Sequence, residues 1–431
     1  MSPLRSPFAG SRSCQMRALK RILLGTATAI TLAVLTACDT PGVTLVDPDV
    51  SATPDSVTFI VRLEDSTLAA ALGWTGGVPG AVIMLARIGD DFHPDSLLTD
   101  STGSASAQGV LPGFYRVAAH RILSESEAAL MGGSALAFGT GSKLHLSTSG
   151  TITLTMEASN RGSLVFSEIY AVEQFLLNHY QWFQYIELYN NGDTVVYLDG
   201  MILGMTWQLD RDLTPFPCST TQAMRNDSAG VWALFFHRFP GGGLNYPVDP
   251  GRTITVALDA VDHSVVHPSF PDLTNADFEM EGGADVDNPD VPNMPDVGLR
   301  PNLRGHGLDM SAGAKYFLSG SIELGSLHRV RDGATGDEWV RFPAHSVLDV
   351  VSLHNGSAYT DAKYTPCRVS VHPSFDKLEG GFLNTRIDTT LAFHRRILPV
   401  FGGTTTPILH DVNTSFLDIV TGPHSPGEIR H

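Results

Sequence analysis

The stretch from residue 162 to residue 200 constrains this chain most, because it places an acidic side chain inside each of two strand-like runs. GSLVFSEIYAV (162–172) carries Glu168, and FQYIELYNNGDTVVYLDG (183–200) carries Glu187. In YIELY, a period of two sends Ile186 and Leu188 to one face and Tyr185, Glu187 and Tyr189 to the other. Asn190 to Asp193 reads as a turn, since Asn and Gly tolerate positive φ. Val195 to Leu198 restarts a strand, and Asp199-Gly200 closes it. The rest of the chain fits a sheet former: 42 Gly and 26 Pro with only 17% charged residues indicate a turn-rich all-β protein. Its 431 residues suffice for two or three cores.

The runs SEIY (167–170), YIELYN (185–190) and VYLDG (196–200) resemble the opening of a lamin-tail domain, an immunoglobulin-like β-sandwich. Val248 to Gly251 followed by Thr253 to Leu258 resembles that domain's turn and next strand. Phe393 to Arg396, Ile408 to Asn413 and Ser425 to Gly427 resemble its closing strand and tail. DLTNADFE (272–279) and DVDNPDVPN (285–293) are similar to blocks of a bacterial lipoprotein family built on the domain. The resemblance runs from Gly162 to His431. It implies the fold; its link to adhesion, membrane association or scaffolding is analogy.

The N-terminus sets the expected compartment. Met16-Arg17-Ala18-Leu19-Lys20-Arg21 is a basic region, with Met16 an alternative start, and Ile22 to Leu35 is apolar but too short to span a bilayer. Leu35-Thr36-Ala37-Cys38 matches a lipobox, in which Cys38 takes a diacylglyceryl group and becomes the new N-terminus. We therefore expect a signal peptide over 1–37 and a lipid-anchored linker over 38–55. The protein would sit on the cell envelope, at the outer rather than the inner membrane. Without its first 37 residues the chain keeps 23 Lys+Arg against 45 Asp+Glu, a net charge of −22. Such a surface repels phosphate backbones, which argues against nucleic-acid binding.

Two β-sandwich domains are expected after the linker. Within 56–160, Val78 to Leu85, Thr99 to Gly103 and Leu111 to Val117 have the order "P-G-A-V strand, T-D-x-x-G turn, L-P-G-x-Y strand". This resembles the prealbumin-like regulatory domain found beside carboxypeptidases, which is itself non-enzymatic. Ser124-Glu125-Ser126-Glu127 predicts a capping box and a short helix stopped by Gly132-Gly133. The second sandwich spans 161–431, with strands expected at 231–236, 253–258, 338–342, 347–353, 368–372 and 389–393. A long polar insertion without strand signal occupies about 259–315.

Several side chains are candidate sites. Asp285, Asp287 and Asp290 form an alternating acidic loop able to supply the oxygens that Ca²⁺ wants, against the plainer reading of a solvated loop in an acidic protein. Cys218 and Cys367 lie beside prolines in an exported chain and are expected to form a disulfide, the alternative being two buried thiols. Phe175, Tyr180, Trp182 and Phe183 either bind a partner by stacking or pack their loop onto the sandwich. The 16 His show no H-E-x-x-H or H-x-H pattern, and no Gly-x-Ser-x-Gly elbow occurs. Glu168 and Glu187 fit a glycosidase pair, or side chains that hydrogen-bond loop backbone.

The expectation is therefore a membrane-anchored, non-enzymatic binding or scaffolding accessory. Its expected partners are the membrane through its acyl chain and an outer-membrane protein or a carbohydrate. The alternative is an envelope hydrolase using a metal or the paired carboxylates.

Overall fold

Alternation, tight turns and buried aromatics make strands the main regular structure of the described residues, with a few short helices between them. The computed structural model describes residues 55–88, 94–133, 135–146, 149–159, 162–171, 182–206, 223–281, 287–299, 315–331, 336–355, 371–383, 390–401 and 406–429. Residues 51–431 form one compact unit.

The first seven strands are Asp55–Leu63 (β1), Val82–Arg87 (β2), Asp95–Leu98 (β3), Ser104–Val110 (β4), Gly113–Ile122 (β5), Ala137–Leu146 (β6) and Gly150–Ala158 (β7). They form one sheet in the order β3-β2-β5-β6-β7-β1-β4, with β1 and β7 parallel. Val57, Phe59 and Val61 of β1 meet Ile83 and Leu85 of β2 and Val117 of β5 in a single core, so the sheet curls over itself into a sandwich. The Asp100 carboxylate accepts hydrogen bonds from the N–H groups of Thr102 and Ser104, which sets the turn before β4. Between β5 and β6, Glu125–Leu130 is a helix (α1) with the complete Ser124/Glu127 capping box, and Gly132 and Gly133 follow it at φ 84° and 86°.

The second lobe begins with Leu164–Tyr170 (β8), Tyr185–Asn190 (β9), Val196–Tyr197 (β10) and Ile202–Thr206 (β11). Gly230–Ala233 (β12), Phe235–Arg238 (β13), Pro247–Val248 (β14) and Thr253–Ala257 (β15) follow. Then come Phe278–Met280 (β16), Asn293–Met294 (β17), Lys315–Ser319 (β18), His328–Arg331 (β19) and Glu338–Pro343 (β20). Val347–Asn355 (β21), Gly380–Leu383 (β22), Leu391–Arg395 (β23) and Ile419–Pro423 (β24) complete it.

A seven-stranded sheet, β17-β16-β15-β9-β8-β23-β24, packs on a five-stranded one, β13-β11-β18-β21-β22. Phe166, Ile186, Leu188 and Val256 face Leu203, Met205, Leu318 and Val351 in the shared core. A third layer, β12-β20-β19, covers the far side of the smaller sheet through Val231, Val340 and Phe342. The fold is all-β and built of β-sandwiches, as the sequence predicts.

Two local expectations need correction. The turn after β9 uses no positive φ: the Asn190 carboxamide accepts from Gly192 N–H at 3.0 Å and donates to Thr194 O, so side chains set the bend. Nor is 259–315 without strands among its described residues. Buried Phe278, Met280 and Met294 place β16 and β17 in parallel on the edge of the large sheet.

The two lobes meet on the outward face of the first sheet. Ala86, Ala118 and Ala137 pack against Leu378, Leu398, Val412 and Leu417. A Cβ at Gly139 would lie 2.5 Å from Val412, and one at Gly141 2.8 Å from Leu378, so glycine is needed for this approach. Lys377 pairs with Glu157 at 2.7 Å across the same junction.

Candidate functional site

Strand register brings the two carboxylates of the opening stretch together. Glu168 stands opposite Glu187 where β8 pairs with β9, beside a bulge between Phe166 and Glu168. Both are buried, at 1% and 0% exposure. Tyr185 donates to Glu168 Oε1 at 2.5 Å, and Ser425 gives that carboxylate its N–H and its hydroxyl, each at 2.9 Å. Glu187 Oε1 accepts from Thr255 Oγ1 at 3.1 Å and from Gly427 N–H. Two carboxylates from neighbouring strands thus fasten the tail that follows β24.

The surroundings decide the protonation states. Burial first, then the Glu168 charge, raises the Glu187 pKa well above the usual carboxylate range. Burial and the same neighbour push the Tyr185 phenol up, leaving it a donor. His394 Nδ1 lies 3.4 Å from Glu168 Oε2, while its Nε2 faces Pro423 O at 3.0 Å. The ring therefore spans carboxylate and backbone and does not activate the Ser425 hydroxyl. The cleft between Glu168, Glu187, Ser167 and His394 has room for a single water, about 10 Å³ for its centre. Such a site holds a chain segment in place; it has no room for a sugar ring.

A second buried node adjoins the first. Arg395 lies fully buried and reaches Asp349 at 2.6 Å and Asp411 at 3.2 Å, while its Nε donates to Phe166 O. Asp418 accepts from His410 at 2.6 Å and from the N–H groups of Val412 and Thr414. Asp376 accepts the N–H and hydroxyl of Ser415. Burial raises Asp376 to about 6 and Asp411 to about 7, the latter despite Arg395. Arg395, His410 and Asp411 fall in runs that resemble the lamin-tail closing strand and tail, but that resemblance assigns them no role. The signal they leave is charge inside otherwise apolar strands, at Asp349 and at His394-Arg395.

The other candidates are placed unevenly. Cys38, Cys218, Cys367, Asp285, Phe175 and Tyr180 lie outside the described residues. Phe183 is fully buried and stacks on Phe270 with ring centres 4.0 Å apart, so it is a packing residue and not a surface for ligands. Trp182 is half-buried against the main core. Asp287 accepts a hydrogen bond from Asn293 at 2.7 Å, and Asp290 N–H donates to Asn288. Among the described residues no three His, Cys, Asp or Glu side chains converge as metal ligands, and no helix is long and apolar enough to cross a membrane.

No protein-family model matches the chain, and no curated protein matches it significantly. Some solved structures are distantly similar to it. A DUF4876 family protein from Bacteroides thetaiotaomicron VPI-5482 is 15% identical over 85% of this chain and 95% of its own, with a TM-score of 0.48. A DUF3823 family protein from Parabacteroides merdae is 9% identical over 70% of this chain and 99% of its own, at 0.16. The major pilin subunit of Bacillus cereus is 10% identical over 36% of this chain and 43% of its own, at 0.17. At these identities and scores the likenesses carry no argument.

Proposed function

We propose that this chain is a non-enzymatic binding or scaffolding accessory of the bacterial envelope, tethered through a lipid on Cys38. The observation that carries the non-enzymatic part is the use of Glu168 and Glu187. The two carboxylates best suited to hydrolysis accept hydrogen bonds from the chain's own Ser425 and Gly427 and leave room for one water. The close junction between the lobes supports a scaffold, because it fixes the direction in which one lobe presents the other. The tether rests on the lipobox ending at Cys38 and on the polar linker after it.

Labelling cells with a palmitate analogue tests the anchor. Wild type should carry label in the membrane fraction, and Cys38→Ala should lose it. An unlabelled wild type contradicts the anchored reading. Calcium at Asp285, Asp287 and Asp290 belongs to the same proposal. If the loop binds it, Ca²⁺ raises the melting temperature of the wild type and not that of Asp287→Asn, whereas equal melting with Ca²⁺ and with chelator removes the metal.

A further inference from the structure

The ribbon of β10 and β14 carries apolar side chains on its outer face. Here Tyr197 stands opposite Pro247 and Val196 opposite Val248. Val248 is buried in the main core and Val196 packs partly against it. Alternation therefore turns Val195 and Tyr197 outward, and Pro247, cross-strand from Tyr197, shares their face. Val195 is 41% exposed, Tyr197 37% and the neighbouring Leu244 72%. Single apolar groups on a surface need no explanation, but Val195, Tyr197 and Pro247 gathered at one short ribbon, with Leu244 on the loop leading into it, do.

The loop bearing Leu244 is held in shape. One carboxylate, Asp199, accepts the N–H groups of Gly243, Asn245 and Tyr246 at 2.9–3.1 Å. Gly241 at φ 98° lets the chain fold this closely, since a Cβ there would strike Asp199. A leucine displayed on a loop already ordered costs little entropy on binding.

The geometry points to the Val195–Tyr197–Leu244–Pro247 face as a docking surface for a protein whose contact is apolar at its centre and basic at its edge. This rests on the proposed binding role and names the partner's chemistry. Exposed Asp193 and Asp249 flank the ribbon, and the whole chain is at −17, which favours a basic rim and repels an anionic bilayer.

A photo-crosslinking amino acid placed at Leu244, at Tyr197 and at exposed Thr155 on the other lobe, in the full chain in its own cells, tests this. The expected result is a crosslink from positions 244 and 197 to one protein, at a peptide with apolar residues flanked by Lys or Arg. In the Tyr197 probe, Leu244→Asp should cut its yield roughly tenfold, with an unchanged melting temperature. Asp193→Asn with Asp249→Asn should reduce it at low salt only. Crosslinks to a second copy, to glycan or to lipid overturn the proposal. So does a partner caught from Thr155 alone, which leaves the binding role standing. No crosslink from any position removes both.

Discussion

Arg395 shows how the molecule uses its charged side chains. It is buried with Asp349, Asp411 and Asp418 around it, and removing one partner leaves a charge without compensation in a low-dielectric interior. Asp349→Ala should therefore cost about 3 kcal/mol in a urea titration, more than truncation of any exposed carboxylate. The same node predicts a pH dependence with a definite sign. Asp376 and Asp411 have raised pKa values in the folded chain, about 6 and about 7. The folded state holds protons there that the unfolded state releases from about pH 4 upward, so their contribution is lost as pH rises toward 7. His120 acts oppositely. Burial first, then His410 and Arg396, lower it to about 4, and its contribution is lost as pH falls below about 6.5. Stability should thus decline from about pH 6.5 to about 8, and Asp411→Asn should flatten that limb. A wild-type curve rising over this range would contradict the assignment.

Strands and turns extend the same logic. The first sheet approaches the second lobe through Gly139 and Gly141, where side chains would overlap Val412 and Leu378. Gly139→Val should destabilise by about 1–3 kcal/mol, measured by denaturant midpoint, because the junction must open to admit it. Much at this scale is legible in the sequence. Period-two alternation yields β9 with the correct faces, whereas in β8 the bulge between Phe166 and Glu168 breaks the period and puts Phe166 and Ile169 in one core; the S-x-x-E pattern yields α1 and its cap. Less legible are β16 and β17, which are three and two residues long and held by packing of Phe278 and Met294 rather than by any local pattern. The bend after β9 falls where the sequence puts it but has a different cause, since Asn side chains act in turns by hydrogen bonding as well as by left-handed φ. The Arg395 node is hidden because its members are far apart in sequence, from Asp349 to Asp418, and only the sheet order brings them together.

At the scale of the whole molecule, the lobes pack at one close junction and the tail after β24 is fastened to β8 and β9. The central claim is that Glu168 and Glu187 serve the fold, with Glu187 holding Gly427. Native-state hydrogen exchange over residues 423–429 at neutral pH tests it most directly, comparing wild type, Glu187→Gln and Glu187→Ala. A glutamine keeps the acceptor oxygen that Gly427 N–H uses and should leave exchange near wild type. Alanine strips the acceptor and should speed exchange at Gly427 by an amount equivalent to about 1–3 kcal/mol of local opening, with the first sheet unchanged. Exchange at Gly427 that is indifferent to both substitutions would contradict the account and return the carboxylate pair to the hydrolytic reading.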